Sequence, residues 1–163
     1  MKPIAFPATV LALPLAACMA AVPPGESGPL PASPGAPAAQ GDVGAEVLRL
    51  VNADRGRHGC PALQWDAAAA GAAQAHSDDM ARRNYFSHTS PEGRTAVDRL
   101  HAQGANFRAL AENIAMGQPT PAEAVRSWLG SAGHRENIEN CVYTRSGVGY
   151  RDGRWTQVFY TPL

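Results

Sequence analysis

The sequence predicts an α+β domain built in layers, and three features predict it. Helical periodicity and alanine dominate the first half of the folded part, a short apolar segment reads as a strand in the middle, and the C-terminal stretch switches to a hairpin. Val43 to His58 carries Val43, Val47, Leu50 and Val51 at a spacing that places them on one helical face, with Glu46, Arg49, Asp54 and Arg55 largely off it. Gly56 and Gly59 then end the helix. After Cys60-Pro61-Ala62-Leu63 and Trp65, Asp66 is the expected N-cap of an alanine-rich helix running to about Asn84, whose small side chains allow neighbours to approach closely. Tyr85 to Gly93, rich in Ser, Thr, Pro and Gly, reads as a loop, and a short helix from about Thr95 to Gln103 follows. Leu110 to Met116 is the expected strand. Thr120-Pro121-Ala122-Glu123 carries a capping-box pattern with proline at the first helical position, opening a helix with Ala124, Val125 and Trp128. Gly133 to Asn140 makes another helical turn. Val142 to Tyr150 and Arg154 to Thr161 then flank Arg151-Asp152-Gly153, and Asp-Gly between β-branched and aromatic runs is a hairpin turn signal.

The first 42 of the 163 residues do not read as globular. Lys2 is followed by an apolar run from Ile4 to Leu15, too short to span a bilayer as a helix but suited to the core of a signal peptide (residues 1–17). The run closes in Leu15-Ala16-Ala17-Cys18, small residues followed by cysteine, similar to the processing site of bacterial lipoproteins, which would acylate Cys18 as the new N-terminus. The alternative is an ordinary secretory signal cut after Ala16-Ala17-Cys18 or Ala17-Cys18-Met19. Residues 18–42 then read as a Pro/Ala/Gly tether with too few bulky apolar groups to fold, and residues 43–163 as one domain. Of the three cysteines, Cys60 and Cys141 remain as a pair if Cys18 is acylated. Bridging them would contribute on the order of 4 kcal/mol through loop closure, less any native strain. Two unpaired buried thiols are the alternative. Met19 rather than Asp after the cysteine leans toward an outer-membrane address, if the sorting rule of common Gram-negative bacteria applies. The expected location is thus the cell envelope, on an outer-membrane or periplasm-facing lipid anchor, or the exterior if Cys18 is not acylated.

Fourteen basic and fourteen acidic residues leave a formal net charge of zero with no basic stripe, which argues against a nucleic-acid partner. A monomer is expected. There is no Gly-x-Ser-x-Gly, no His-Glu-x-x-His, no metal-spaced cysteine set and no phosphate-binding glycine loop. What remains is a set of histidines beside turns. His88 lies just past a helix end, His134 lies at the Ser131-Ala132-Gly133-His134-Arg135 junction, and Glu112 is an ionisable residue within an apolar strand. Taken singly, each is more often a solvated or backbone-bonded side chain than a ligand.

Their contexts come in one order along the chain: Asn52-x-x-Arg55, Leu63-x-Trp65-Asp66, Ala75-His76-Ser77-x-x-Met80, Phe86-Ser87-His88-Thr89, Ala111-Glu112-Asn113-Ile114, the Trp128 helix, Gly133-His134-Arg135-x-Asn137-Ile138 and Gly147-Val148-Gly149. This resembles the bacterial CAP domains, of the superfamily of cysteine-rich secretory proteins, antigen 5 and pathogenesis-related 1 proteins, over residues 43 to 162. The resemblance implies a three-layer α-β-α sandwich with a central antiparallel sheet and a large cleft lined by two histidines and two acidic residues. His88, Glu112 and His134 match three of these. Where the second acidic residue is expected, Trp128 is followed by Leu129, Gly130 and Ser131, and a serine hydroxyl is a poorer ligand than a carboxylate.

Three functions follow as expectations. The first is a membrane-tethered binding module for a lipid or peptide in the cleft, with no catalytic residue assigned. The second is a metal-dependent hydrolase using His88, Glu112 and His134, with a divalent ion such as zinc on His88 and His134. The third is an envelope structural or interaction protein with an inert cleft. His76 is expected to pack structurally, His58 and His101 to face water, and Asn113 and Gln157 to satisfy buried backbone. Trp65, Trp128, Trp155, Phe86 and Phe159 are expected in the core or against the sheet.

Overall fold

The chain is described by a computed structural model covering residues 40–163, with side chains from Val43 onward. The signal segment 1–17, Cys18 and nearly all of the 18–42 tether lie outside the described residues. Helix α1 spans Gln40–Arg57 and leads through Cys60 to a two-residue strand β1, Gln64–Trp65. Helix α2 is Ala67–Arg82, capped by the Asp66 carboxylate, which accepts the Ala69 N–H at 2.9 Å. Helix α3 is Ala96–Ala102 and strand β2 is Phe107–Met116, starting before the expected Leu110 because Phe107 already pairs with Pro162. Helices α4, Pro121–Leu129, and α5, Ala132–Glu139, precede the hairpin of β3, Arg145–Arg151, and β4, Arg154–Pro162. The hairpin turn has positive φ at both Asp152 (45°) and Gly153 (77°), the conformation that favours Asp-Gly between twisted strands.

The sheet order is β1-β3-β4-β2. β2, β4 and β3 pair antiparallel, and β1 adds a short parallel pairing to β3 through Gln64↔Arg145 and Trp65↔Ser146. Alternation along β4 supplies both faces. Trp155 and Phe159 join Val47, Val51, Trp128 and Ile138 under α1, α4 and α5, while Val158 and Tyr160 join Ala69, Ala72, Ala73 and Leu100 under α2 and α3. Helices on both faces of one sheet make the α-β-α sandwich. Cys60 and Cys141 are disulfide-bonded, closing an 81-residue separation and tying the end of α1 to the segment after α5.

Three expectations need correction. Arg55 and Asp54 are not on the solvent side of α1 but buried, at 0% and 5% exposure. The Arg55 guanidinium reaches past the helix end and donates to the carbonyls of Pro61 (3.1 Å), Ile138 (2.8 Å), Asn140 (2.9 Å) and Tyr143 (3.0 Å). These carbonyls lie in the last turn of α5 and in irregular segments, where no ladder satisfies them, and the arginine replaces one. Trp65 and Phe86, expected in the core or against the sheet, are 42% and 43% exposed. Trp65 is on the edge strand and lies over Gly44, where a Cβ would stand 2.6 Å from the ring, so it caps α1 from outside instead of entering the core. Gln157 is fully buried as expected, but its amide donates to the Ser146 hydroxyl (3.1 Å) rather than to backbone.

Candidate functional site

β2 is an edge strand, and consecutive residues on it face opposite layers. Glu112 points to the α2/α3 side, and its side chain is 5% exposed. There one carboxylate oxygen lies 2.9 Å from Nδ1 of His88 and the other 2.8 Å from the Arg99 guanidinium. Because an ionised carboxylate only accepts, His88 donates from Nδ1, and in the neutral imidazole this leaves Nε2 as the acceptor. The His88 side chain is 54% exposed, so the free nitrogen belongs to an accessible imidazole. Asn113, the next residue, is fully buried and donates to the His134 carbonyl at 3.0 Å, while Asn137 donates to the Asn113 side-chain oxygen at 2.9 Å. This satisfies buried backbone, as expected of Asn113. One edge strand thus anchors both histidine-bearing segments, the loop after α2 and the first turn of α5.

The loop holding His88 is itself pinned. His76, 1% exposed on α2, donates from Nε2 to the Ser87 carbonyl at 2.9 Å, and Arg99 donates to the His88 carbonyl at 2.9 Å. Tyr85 donates to the Asp79 carboxylate at 2.7 Å, and burial together with that bond pushes its hydroxyl up to about 12. His76 is therefore structural, as expected. His101 is exposed, stacked on Phe107 with ring centroids 4.9 Å apart. Ser131 is the N-cap of α5 with an extended backbone, half-buried, and its hydroxyl makes no capping bond.

The residue that sequence reasoning missed is Arg99. It is 5% exposed, bridges the Arg94 and His88 carbonyls and pairs with Glu112. Nothing in Ala96-Val97-Asp98-Arg99-Leu100 marks it, since its partners are brought by a loop and by β2. Burial pushes the Glu112 carboxyl up, but the His88 hydrogen bond and the charge and hydrogen bond of Arg99 outweigh it and hold the carboxyl below its ordinary range. His134 is pushed down by burial and then by the nearby charge of His88. His76 is pushed down, chiefly by burial, and stays neutral.

Acidification is accordingly expected to erode stability in two steps. His76 takes up a proton below 6.5 more readily when unfolded, so the stability present above 6.5 falls as pH drops below it. Glu112 contributes stability above its ordinary 4.5 that is lost as pH falls through its lower folded value. Urea unfolding across this range should show the first step flattened in His76→Gln and the second in Glu112→Gln. Curves parallel to the wild type in both variants would contradict the assignment.

The comparisons with known proteins bear on this architecture. The model of the cysteine-rich secretory protein family, CAP, matches residues 48–161, which include every element from α1 to β4 in whole or part. The chain belongs to that family. Its CAP domain is 42% identical over 116 residues to the uncharacterized protein YkwD of Bacillus subtilis, and 40% identical over 114 residues to the uncharacterized membrane protein YlbC of the same organism. Each alignment covers 70% of this chain but only 45% and 33% of those relatives, so the chain spans less than half their length. Among solved structures, it is similar to an extracellular protein containing an SCP domain from Bacillus anthracis, at 36% identity and a TM-score of 0.71, covering 78% of this chain and 45% of that one. An outer surface protein of Borrelia burgdorferi, 20% identical with a TM-score of 0.66 over 72% of this chain and 90% of its own, shares the fold.

Proposed function

We propose that this CAP domain is exported, held at the envelope by a lipid on Cys18, and acts as a binding module for a lipid or peptide ligand at the His88–Glu112–His134 site. The observation that carries the reading is the state of Glu112. Both of its oxygens are committed, one to His88 and one to buried Arg99, and its carboxyl is held ionised. A carboxylate neutralised in this way is poorly suited to shuttle protons, and Ser131 supplies no second one. The accessible imidazoles and the Ser131 hydroxyl instead offer donors and acceptors to a bound polar group. The test is binding of the mature chain to vesicles and to a peptide panel. Ser131→Trp, which places an indole at the start of α5, is expected to lower affinity at least tenfold, and no binding to either class by the wild type would overturn the proposal.

One observation favours the hydrolase reading. His88 donates from Nδ1 to a carboxylate and frees Nε2, the arrangement by which carboxylates orient metal-binding imidazoles. His88 and His134 would hold a divalent ion there, which when bound lowers the pKa of its water. Arg99 would keep Glu112 ionised and His88 in the required tautomer. Under this reading His88→Ala and His134→Ala each remove one zinc equivalent and any peptidase signal, and unchanged titrations would sink it.

A further inference from the structure

A second set of ligand atoms lies away from this site, at the other end of α5. Among the described residues, Asp54, His58 and Glu139 bring a carboxylate oxygen, an imidazole nitrogen and a second carboxylate oxygen within 4.8 Å of one another. Glu139 is the last residue of α5 and His134 lies in its first turn, a rise of about 7.5 Å along the helix axis. Asp54 lies in the last turn of α1 and His58 is the first residue beyond the helix, in the turn that follows Arg57.

The Asp54 side chain is 6% exposed. One of its oxygens is taken by Arg57 at 2.5 Å, and the other, Oδ2, is enclosed with no hydrogen-bond partner among the described residues. A buried, ionisable oxygen left without a partner is costly, and native structures rarely leave one. His58 Nε2 and Glu139 Oε1 stand 3.4 Å apart. Ligands held about 2.0–2.1 Å from a tetrahedral zinc ion stand roughly 3.4 Å from each other. The spacing therefore fits two donors sharing an ion, and a carboxylate oxygen of Asp54 supplies the third.

We infer that Asp54, His58 and Glu139 form a binding site for a zinc-class divalent cation, separate from the His88–His134 site. One imidazole with two carboxylates favours zinc or a neighbouring transition metal over calcium or magnesium, which take all-oxygen shells. Three protein ligands leave a fourth position for water. The His58 side chain is 48% exposed and that of Glu139 27%, so an ion has a path in. The Cys60–Cys141 bridge lies two residues from both His58 and Glu139, fixing the ends of α1 and α5 so that little ordering is left for the ion to impose. A bound cation would clamp the C-terminus of α5, the helix whose first turn presents His134.

The test uses the full chain, disulfide intact and stripped with chelator, carrying His88→Ala and His134→Ala to silence the other site. Zinc titration by calorimetry, with native mass spectrometry for stoichiometry, is expected to show one equivalent bound and a higher Tm on loading. His58→Ala and, independently, Glu139→Gln are each expected to weaken uptake at least tenfold and abolish the zinc-dependent rise in Tm. Both residues are partly exposed, so neither change removes core, whereas Asp54→Asn alters a buried group and serves only as a third probe. No stoichiometric zinc in the silenced chain, or uptake undiminished by both His58→Ala and Glu139→Gln, would overturn the inference.

Discussion

Arg55→Ala is expected to destabilise the domain by about 5 kcal/mol, lowering Tm by roughly 20 °C for a core of this size. The side chain is fully buried and its guanidinium satisfies four carbonyls, from Pro61, Ile138, Asn140 and Tyr143. Each carbonyl left buried without a donor costs at least about 1 kcal/mol, and the cavity left by the side chain adds to that. Burial holds the guanidinium below its ordinary pKa, yet arginine remains charged, so its bonds are charge-assisted throughout the accessible pH range. Arg55→Lys should recover little, because one ammonium cannot span acceptors spread from the α1 end to the residues before β3. Urea denaturation with an unchanged m-value would check the magnitude. A loss below about 1 kcal/mol for Arg55→Ala would mean that water replaces the fork at no cost, and the structural role assigned here would fail.

Gly147→Ala is expected to cost about 4 kcal/mol, more than ordinary overpacking, although it adds a single methyl. A Cβ at Gly147 would lie 2.0 Å from the Ala70 nitrogen and 2.4 Å from the Ala69 carbonyl carbon, and one at Gly149 would lie 2.4 Å from the Ala73 carbonyl carbon. These neighbours are helix backbone, so no rotamer can relieve the contact. α2 would have to lift from β3 by more than about 1 Å, undoing the packing of Ala69, Ala72 and Ala73. Because α2 also carries His76, which holds the Ser87 carbonyl, the same shift is expected to loosen His88. Thermal unfolding would give the stability term, and the His88 imidazole NMR signals would show whether the site follows. Gly56→Ala, where a Cβ meets nothing within 4 Å, is the control and should be near neutral.

Much of the fold was legible because it depends on local chemistry. Asp66 caps α2 and Thr120 caps α4, each accepting an N–H from three residues ahead. Asp152-Gly153 sets the hairpin through backbone conformations that few other pairs adopt. The ordered motifs also brought together His88 and Glu112, which do hydrogen-bond, and placed His134 on a segment tied to the neighbouring Asn113. Asn52 and Arg55, the two ends of one four-residue motif, both prove to serve backbone outside their own helix: Asn52 exchanges bonds with Leu63 at 3.0 and 2.8 Å, much as a strand neighbour would.

Other features had no local signal. Periodicity sorted Arg55 to the polar side of α1 because it weighs charge and takes no account of where a long side chain can end. Hydrophobicity places Trp65 and Phe86 in the core or against the sheet, but an edge strand and a loop leave them half in water. Arg99 and the Asp54–His58–Glu139 group arise from segments far apart in the chain, and only the docking of α3 on β2 and of α5 on α1 makes them neighbours. By itself the sequence determined which segments form helices and strands, and which motifs mark the family, since capping, turn conformation and motif order are properties of adjacent residues. The tertiary structure alone decided which charges meet, because an ion pair is set by the distance between side chains, and chain separation says nothing about that distance.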